Sequence, residues 1–204
     1  LSTALQNARV RQSLQSTNTD LLRLLTLAKI LAEPRHLEDT LTMVAQAAKS
    51  FSGAVATAVW LADPVAKSLR RIVLLAPEGP ERFRPMQFAY GEGIAGWVAA
   101  NGEALHVEDP LTDPRVVAKR WAQSLGIRSF YGFPLRFGDA LVGVLAVGTS
   151  APLPAPQISL FGTFCDHAAL AIGQADLLRT QEVDAEQIGS LVRVAQAINA
   201  GRPR

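Results

Sequence analysis

Cys165 is the single cysteine of the chain, and its thiol is the one group that could serve as a thiolate nucleophile or attach a bilin covalently. It lies at helical spacing with Phe161, Ala168 and Ile172, which defines an apolar stripe. A cysteine on such a stripe behaves as a small inert hydrophobe. We therefore expect a packed thiol and not a nucleophile, a bilin attachment point or a haem ligand. One thiol also fits a reducing, cytoplasmic location.

The three histidines, His36, His106 and His167, lie about 60 to 70 residues apart and form no pair at metal-ligand spacing. Each is a candidate axial haem ligand, although an ordinary surface or core histidine is the simpler interpretation. The sequence therefore predicts no metal site built on histidine, and we expect no cofactor.

Three carboxylates, Glu108, Asp109 and Asp113, lie close together in one predicted loop. Such a group of oxygen ligands could hold a cation. Turn and helix capping by Asp109 and Asp113 explains the same residues more simply, and we expect that role.

The glycine run Gly91-Glu92-Gly93 with Gly96 resembles a phosphate-binding loop only in composition. It lacks the lysine and Ser/Thr of a nucleotide P-loop and the strand-to-helix context of a dinucleotide site. We expect these glycines to permit tight backbone turns. Neither a nucleophile elbow nor a strong acid/base pair is found elsewhere, so the sequence predicts a protein that is not an enzyme.

Charge and hydropathy exclude two classes of partner. The formal net charge is +2 and no basic run exceeds three residues, so there is no footprint for a nucleic-acid backbone. The longest apolar stretch, residues 140–147, is broken by Gly143 and is too short to cross a bilayer. We expect neither nucleic acid nor membrane as a partner. Because the chain begins at Leu1 and not at methionine, we expect a piece of a longer protein with an output domain outside it.

Both ends of the chain have the pattern of helices that pair. Residues 4–33 contain no glycine or proline and are rich in helix formers. Apolar residues at heptad spacing in the two ends predict a homodimer seam. The candidate interface residues are Leu14, Leu21, Leu24, Leu31, Ile188, Leu191 and Ile198. We expect an N-terminal helical arm over residues 1–34, a globular domain over 35–180 and a C-terminal helical linker over 181–204.

The middle of the chain alternates between the periods of helices and strands. Helices are predicted over residues 37–51, 94–100 and 115–125, the last capped by Asp113 with Pro114 at its first position. A closing helix is predicted from Pro156 onward. Strands are predicted over residues 55–61, 69–75, 86–88, 104–107, 129–137 and 141–147.

The order of these segments resembles that of a GAF domain over residues 37–178. The segments that carry the resemblance read GEGIAGWVAANGE, VEDPLTDPR, GIRSFYGFPLRFGDALVGVLAVGT and DHAALAIGQADLL. The resemblance implies an α+β fold: an antiparallel sheet with helices on one face and a loop-roofed pocket on the other, flanked by long signalling helices. Cyclic-nucleotide-binding relatives carry an Asn-Lys dipeptide and sulfoxide-reducing relatives carry several cysteines. This chain has neither feature.

The resemblance places two kinds of residue at the pocket, because a ligand site needs apolar walls and a few polar anchors. The candidate wall residues are Phe88, Tyr90, Trp97, Trp121, Phe130 and Tyr131. The candidate anchors are His106, Arg115, Arg128 and Ser129. Core packing is the competing interpretation of the aromatics, and solvation or pairing with a carboxylate is that of the arginines.

Three functions follow from these observations. The first is a sensory module in which a small molecule enters the pocket, the loop of residues 110–126 closes, and the flanking helices transmit the change. The alternative is a ligand-free dimerisation module whose pocket is filled by its own aromatics. The second alternative is a chromophore- or haem-binding sensor.

Overall fold

The computed structural model describes residues 36–77 and 87–200, with side chains described as far as Gln181. In chain order the elements are α1 (Leu37–Ser52), β1 (Ala56–Asp63), β2 (Ser68–Leu75), β3 (Gln87–Ala89), α2 (Gly93–Asn101), β4 (Leu105–Val107), α3 (Lys119–Ser124), β5 (Ser129–Phe137), β6 (Ala140–Thr149) and α4 (Ala155–Ala200). The predicted α+β class is confirmed.

The strands form one six-stranded sheet in the order β3-β2-β1-β6-β5-β4, and every neighbouring pair is antiparallel. At its centre, Val59 of β1 lies opposite Leu145 of β6 and Val73 of β2. Because side chains alternate across a strand, these three residues point to the same face. They form part of the core beneath the long helices.

The first face of the sheet, which we call the helical face, is covered by α1 and α4. Leu41 and Val44 of α1 and Phe161, Ala168 and Ile172 of α4 are almost fully buried there. Residues spaced three and four apart lie on one side of a helix, so each helix turns a single apolar stripe to the sheet. The stripe expected on the closing helix is confirmed.

The second face, which we call the cavity face, is covered by α2, α3 and the loop between β4 and α3. Ala95 and Val98 of α2 pack there against Trp60 and Val144 of the sheet. Since both faces are covered, the central strands are buried over most of their length and their apolar residues need not alternate with polar ones.

The helix predicted over residues 115–125 is shorter than expected, since α3 begins only at Lys119. Asp113 caps no helix: its Oδ1 accepts a hydrogen bond from the Arg115 amide at 2.8 Å and also faces the Arg115 side chain. These contacts hold the chain in a turn that delays the helix. The prediction that Asp113 caps a helix is therefore wrong, and the prediction that it caps a turn is confirmed.

Helix α4 is continuous over 46 residues, so it is about 69 Å long at about 1.5 Å per residue. It passes the expected boundary at residue 181 without a break. Ile188, Leu191 and Ile198 belong to this helix, although their side chains lie outside the described part of the chain. The predicted N-terminal arm, with its candidate interface leucines, also lies outside the described residues.

Among the described residues, no helix combines the length and the apolar character that are required to span a bilayer.

Candidate functional site

A cavity of about 60 Å³ lies between the sheet and the elements that cover its cavity face. Its floor consists of small side chains, Ala56 and Ala58 from β1 and Ala146 from β6. Small residues at these positions leave space that larger strand residues would fill. The other lining residues are Thr57, Trp60, Leu74, Phe88, Ile94, Ala95, Arg115, Val116, Val117, Ala118, Trp121 and Phe130.

Aromatic rings form the walls of the cavity. Trp60 and Phe88 lie with ring centroids 4.9 Å apart and planes inclined by 32°. This separation is within the range at which aromatic pairs attract each other. Trp121 from α3 and Phe130 from β5 supply the remaining rings. Strand alternation turns the hydroxyl of Thr57 to the helical face, because Ala56 and Ala58 belong to the core of the cavity face.

Arg115 is the only charged residue among the described residues that line the cavity. Its Nε and Nη2 donate to the two carboxylate oxygens of Asp113 at 3.0 and 2.6 Å. Its guanidinium carbon lies 5.5 Å from the ring centroid of Trp97 in α2, within the range of a cation–π contact. The hydrogen bonds from Arg115 hold the pKa of Asp113 below its ordinary value, and the same pairing raises the pKa of Arg115.

The loop before α3 is organised by its own aspartates. Asp109 accepts hydrogen bonds from the Leu111 amide at 2.9 Å and from the Thr112 hydroxyl at 3.0 Å. These bonds, the first above all, lower the pKa of Asp109. The capping interpretation of Asp109 is thus confirmed as an Asx-type turn. Among the described residues, no three His, Cys, Asp or Glu side chains come together as a metal site.

The glycine run places α2 close to the sheet. A Cβ on Gly96 would collide with the carbonyl oxygen of Ala89 at the end of β3. The amide of Gly91 donates to the Gly96 carbonyl at 2.7 Å, and Glu92 accepts from the Ala89 amide at 3.1 Å. The run is therefore a tight turn, as the sequence indicated, and the helix that follows it brings Ile94 and Ala95 to the cavity.

Four of the ten predicted pocket residues line the cavity: Phe88, Arg115, Trp121 and Phe130. Trp97 does not line the cavity, but its ring makes a cation–π contact with the guanidinium of Arg115. Tyr90 packs against the core of the cavity face, and its hydroxyl has no hydrogen-bond partner among the described residues. Burial and the nearby carboxylate of Asp63 raise the pKa of that hydroxyl.

The structure places the other four predicted pocket residues elsewhere. Tyr131 points to the helical face, and the ring of His106 stacks on it at 4.3 Å with planes 5° apart. Ser129 shares the face of Tyr131 by strand alternation and is fully buried there. The side chain of Arg128 is exposed, and its amide donates to the Thr149 carbonyl.

Cys165 is buried on α4, in the core of the helical face. Burial, with a smaller contribution from the charge of Asp166, raises the pKa of its thiol above the ordinary value. A thiol that stays protonated is a poor nucleophile. The whole sheet separates Cys165 from the cavity, and this is the packed position that its spacing predicted.

Sequence reasoning missed the alanine floor of the cavity. The signal was present in the alternation of alanines with larger residues in β1, where Ala56, Ala58 and Ala62 share one side of the strand. It also missed Val116 and Val117, which line the cavity because the loop before α3 stays in turns instead of forming a helix.

A second, wider groove of about 690 Å³ lies on the other side of the molecule. It is bounded by the start of α1, by Leu61 and Ile72 of the sheet and by Leu178 of α4. Its rim carries charges of both signs, including Arg70 and Asp39. Residues 1–35, which precede α1, lie outside the described part of the chain.

Comparison with solved structures finds the same fold in several proteins. The GAF domain of a phosphoenolpyruvate-protein phosphotransferase from Acinetobacter is 18% identical, with a TM-score of 0.65, and the match covers 79% of this chain and 98% of that chain. The GAF domain of A. aeolicus nlh2, in an inactive state, is 18% identical with a TM-score of 0.63, covering 80% of this chain and 98% of that one.

A third structure is an enzyme. The free methionine-R-sulfoxide reductase from Neisseria meningitidis, in complex with its substrate, is 18% identical with a TM-score of 0.64, and the match covers 76% of this chain and 89% of that chain. No curated protein matches the chain. The family model of the GAF domain matches residues 36–172, which is more than two thirds of the chain. The chain therefore belongs to the GAF domain family.

Proposed function

We propose that the chain is a sensory or regulatory GAF module that binds a small molecule in the cavity and signals through its flanking helices. The observation that carries this proposal is the position of the cavity. One of its walls is a loop in which Arg115 pairs with Asp113 and contacts Trp97 of α2, and the cavity lies across one sheet from the long helix α4.

The central strands provide the route from cavity to helix. In β5, Phe130 faces the cavity, whereas Tyr131 and Phe133 face the helical side. Phe133 stacks on Phe161 of α4 with centroids 4.9 Å apart. A ligand that moves β5 by pressing on Phe130 would therefore move a ring that α4 contacts directly. For such binding to signal, the ligand must prefer one helix arrangement over the other.

The similar structures support a regulatory role. One is a GAF domain of a phosphotransferase protein, and another is a GAF domain described in an inactive state. The output domain of this chain, in our proposal, lies beyond α4 in the same protein. We also propose that the protein is cytoplasmic and has no catalytic activity of its own.

A ligand screen by thermal shift and native mass spectrometry tests the binding proposal. We expect at least one compound class to raise the melting temperature and to give a one-to-one mass adduct. The variant Ala58→Leu, which fills the floor of the cavity, should abolish both signals, whereas Ala155→Leu at the exposed start of α4 should not. A screen without any binder would contradict the proposal.

A dimerisation module is the second candidate function, and two exposed leucines favour it. Leu170 and Leu177 of α4 are 45% and 55% exposed and lie one heptad apart. Exposed leucines at this spacing are typical of a helix that pairs with a second helix. The predicted seam residues Ile188 and Leu191 continue the same heptad register along α4.

Sedimentation equilibrium tests the homodimer. We expect a dimer at micromolar concentration that Leu177→Glu converts to a monomer, because a charge in an apolar seam is costly. Val65→Glu is the control, since Val65 is 95% exposed in the turn between β1 and β2. A wild-type monomer at high micromolar concentration would remove the dimer from both candidate functions.

A chromophore- or haem-binding sensor is the least supported alternative. Neither Cys165 nor His106 lies at the cavity, since both belong to the helical face. The similarity to a sulfoxide reductase carries only the fold, and the single cysteine of this chain cannot both form and resolve a disulfide. A visible absorption spectrum of the purified protein tests this directly, and a Soret or bilin band would revive the alternative.

A further inference from the structure

We infer that the cavity selects an uncharged, apolar ligand no larger than a single aromatic ring. This inference rests on the proposed function of the cavity as a binding site and goes beyond it by naming the chemical class of the ligand.

The lining supplies almost no polar partner. Its floor is made of alanines and its walls of tryptophan, phenylalanine, valine and isoleucine side chains. A charged or strongly polar group that enters such a space loses its hydration and gains no hydrogen bonds in return. An apolar ligand gains on entry, because its surface leaves water.

Arg115 is the one residue of the described lining that could anchor an anion, and its charge is already matched. Both carboxylate oxygens of Asp113 occupy the donor fork of the guanidinium, at 3.0 and 2.6 Å. The guanidinium carbon lies 5.5 Å from the ring centroid of Trp97. A ligand carboxylate would have to bind the remaining N–H groups of the guanidinium beside the negative charge of Asp113, or displace a carboxylate that is tethered two residues away in the same chain. Such a tether gives Asp113 a high effective concentration.

The size of the cavity limits the ligand. Its volume of about 60 Å³ is well below the roughly 300–1,000 Å³ of sites for drug-sized molecules. It is also below the roughly 150 Å³ of an engineered apolar cavity that binds benzene. A ring-sized ligand therefore fits only when the wall yields. We expect the moving part to be the loop that carries Val116 and Val117, because it lies outside the sheet and helices.

Matched aromatic probes test the inference on the full chain. Toluene and benzoate share one ring and differ in charge. We expect toluene at about ten times its dissociation constant to raise the melting temperature by about 3–6 °C. It should also change the tryptophan emission, because Trp60 and Trp121 line the cavity and Trp97 lies beside it. Benzoate at the same concentration should do neither.

Two variants separate the ways of failing. Arg115→Gln tests whether any benzoate response depends on the guanidinium, and Ala146→Leu should abolish the toluene response by filling the floor. A benzoate response stronger than that of toluene, and lost in Arg115→Gln, would overturn the inference while leaving the cavity as a binding site. A toluene response that survives in Ala146→Leu would also overturn it.

Silence towards both probes, when a larger or polar compound from the screen does bind, overturns the ligand class alone. Silence towards every compound removes the proposed function as well. The wild-type comparison of toluene with benzoate decides the matter even where Ala146→Leu does not fold.

Discussion

Gly173 of α4 lies directly against the ring of Phe137 at the end of β5. A methyl group added to its Cα would come within 2.5 Å of the ring carbon Cγ, at the base of the ring where the side chain is least free to move. This contact fixes how closely the long helix approaches the β5–β6 hairpin. It gives a direct way to disturb the helix–sheet contact without touching the cavity.

Gly173→Ala should destabilise the protein. Overpacking costs about 1–3 kcal/mol, and the better helix propensity of alanine returns up to about 1 kcal/mol. The net loss in the free energy of unfolding should be up to about 2 kcal/mol by urea denaturation. Gly162→Ala on the same helix is the control, since nothing lies within 4 Å of its added methyl group. It should stabilise, and equal effects of the two variants would contradict the tight contact.

Asp113→Asn should lower stability by about 0.5–1 kcal/mol near neutral pH, because the ion pair with Arg115 is partly exposed. Arg115 lowers the pKa of Asp113, so the contribution is fully present above the ordinary carboxyl pKa of about 3.9. It is lost as the pH falls below that value through the lower folded-state pKa. Unfolding curves of the two proteins should therefore converge in acid.

Asp176→Asn is the control for the ion pair. Its partner, Arg179, lies at 2.9 Å, but both side chains are more than half exposed. Such pairs contribute little, so this variant should unfold like the wild type at every pH. A loss of stability as large as that of Asp113→Asn would show that the ion pair of Asp113 stabilises the protein no more than an exposed pair does.

Tyr131→Phe should destabilise the protein by about 1–3 kcal/mol. The Leu153 amide donates to the Tyr131 hydroxyl at 2.8 Å in the buried link between β6 and α4, and the variant leaves that amide without its partner. Ligand binding should be unchanged, because Tyr131 points away from the cavity. Tyr90→Phe is the matched control and should cost nothing, since the Tyr90 hydroxyl has no partner among the described residues. Both free energies are read from chemical denaturation.

Thr149→Val and Ser129→Ala should each be neutral or stabilise by up to about 1 kcal/mol. The two residues lie opposite each other on β6 and β5, and their buried hydroxyls have no partner within the described chain. Removing a buried hydroxyl that makes no hydrogen bond removes a desolvation cost. Thr40→Val is the comparison, because its hydroxyl donates to the His36 carbonyl at 3.2 Å. A clear loss of stability in Thr149→Val would reveal a partner for that hydroxyl.

Cys165 should be unreactive towards a thiol reagent in the folded protein at pH 8. Burial raises its thiol pKa and also blocks access of the reagent. The same reagent should titrate one thiol at once in denaturant. Rapid labelling of the native protein would mean that α4 leaves the sheet often enough to expose its buried face.

Much of the sheet could be predicted from the sequence, because alternation and turn residues act locally. The strand Ser129–Phe137 has the predicted bounds, and the neighbouring strands and helices differ by a few residues at their ends. The error at α3 has a specific cause. Asp113 before Pro114 has the pattern of a helix start, but the arginine two residues after Asp113 binds the same carboxylate and stabilises a turn.

The pocket was harder to predict, because both faces of the sheet are buried. Phe130 and Tyr131 are adjacent aromatics in one strand, and alternation says only that they face opposite sides. The side on which the cavity lies depends on the alanines of β1 and β6. Strand β1 is far from β5 in the sequence, and its alanines meet those of β6 only when the two strands pair. Of the six aromatic residues that residue type selected, Phe88, Trp121 and Phe130 line the cavity, and residue type alone could not assign their faces.

Helix α4 is continuous, and its first part packs against the sheet. A small rotation of that part therefore moves the far end of the helix. Between Gly173 and Ala200 the helix extends about 40 Å at about 1.5 Å per residue. A tilt of about 5° at the Gly173 contact would therefore move the far end sideways by about 3.5 Å. A change too small to disturb the packing of the domain would be magnified to the width of a side chain at the C-terminal end of α4.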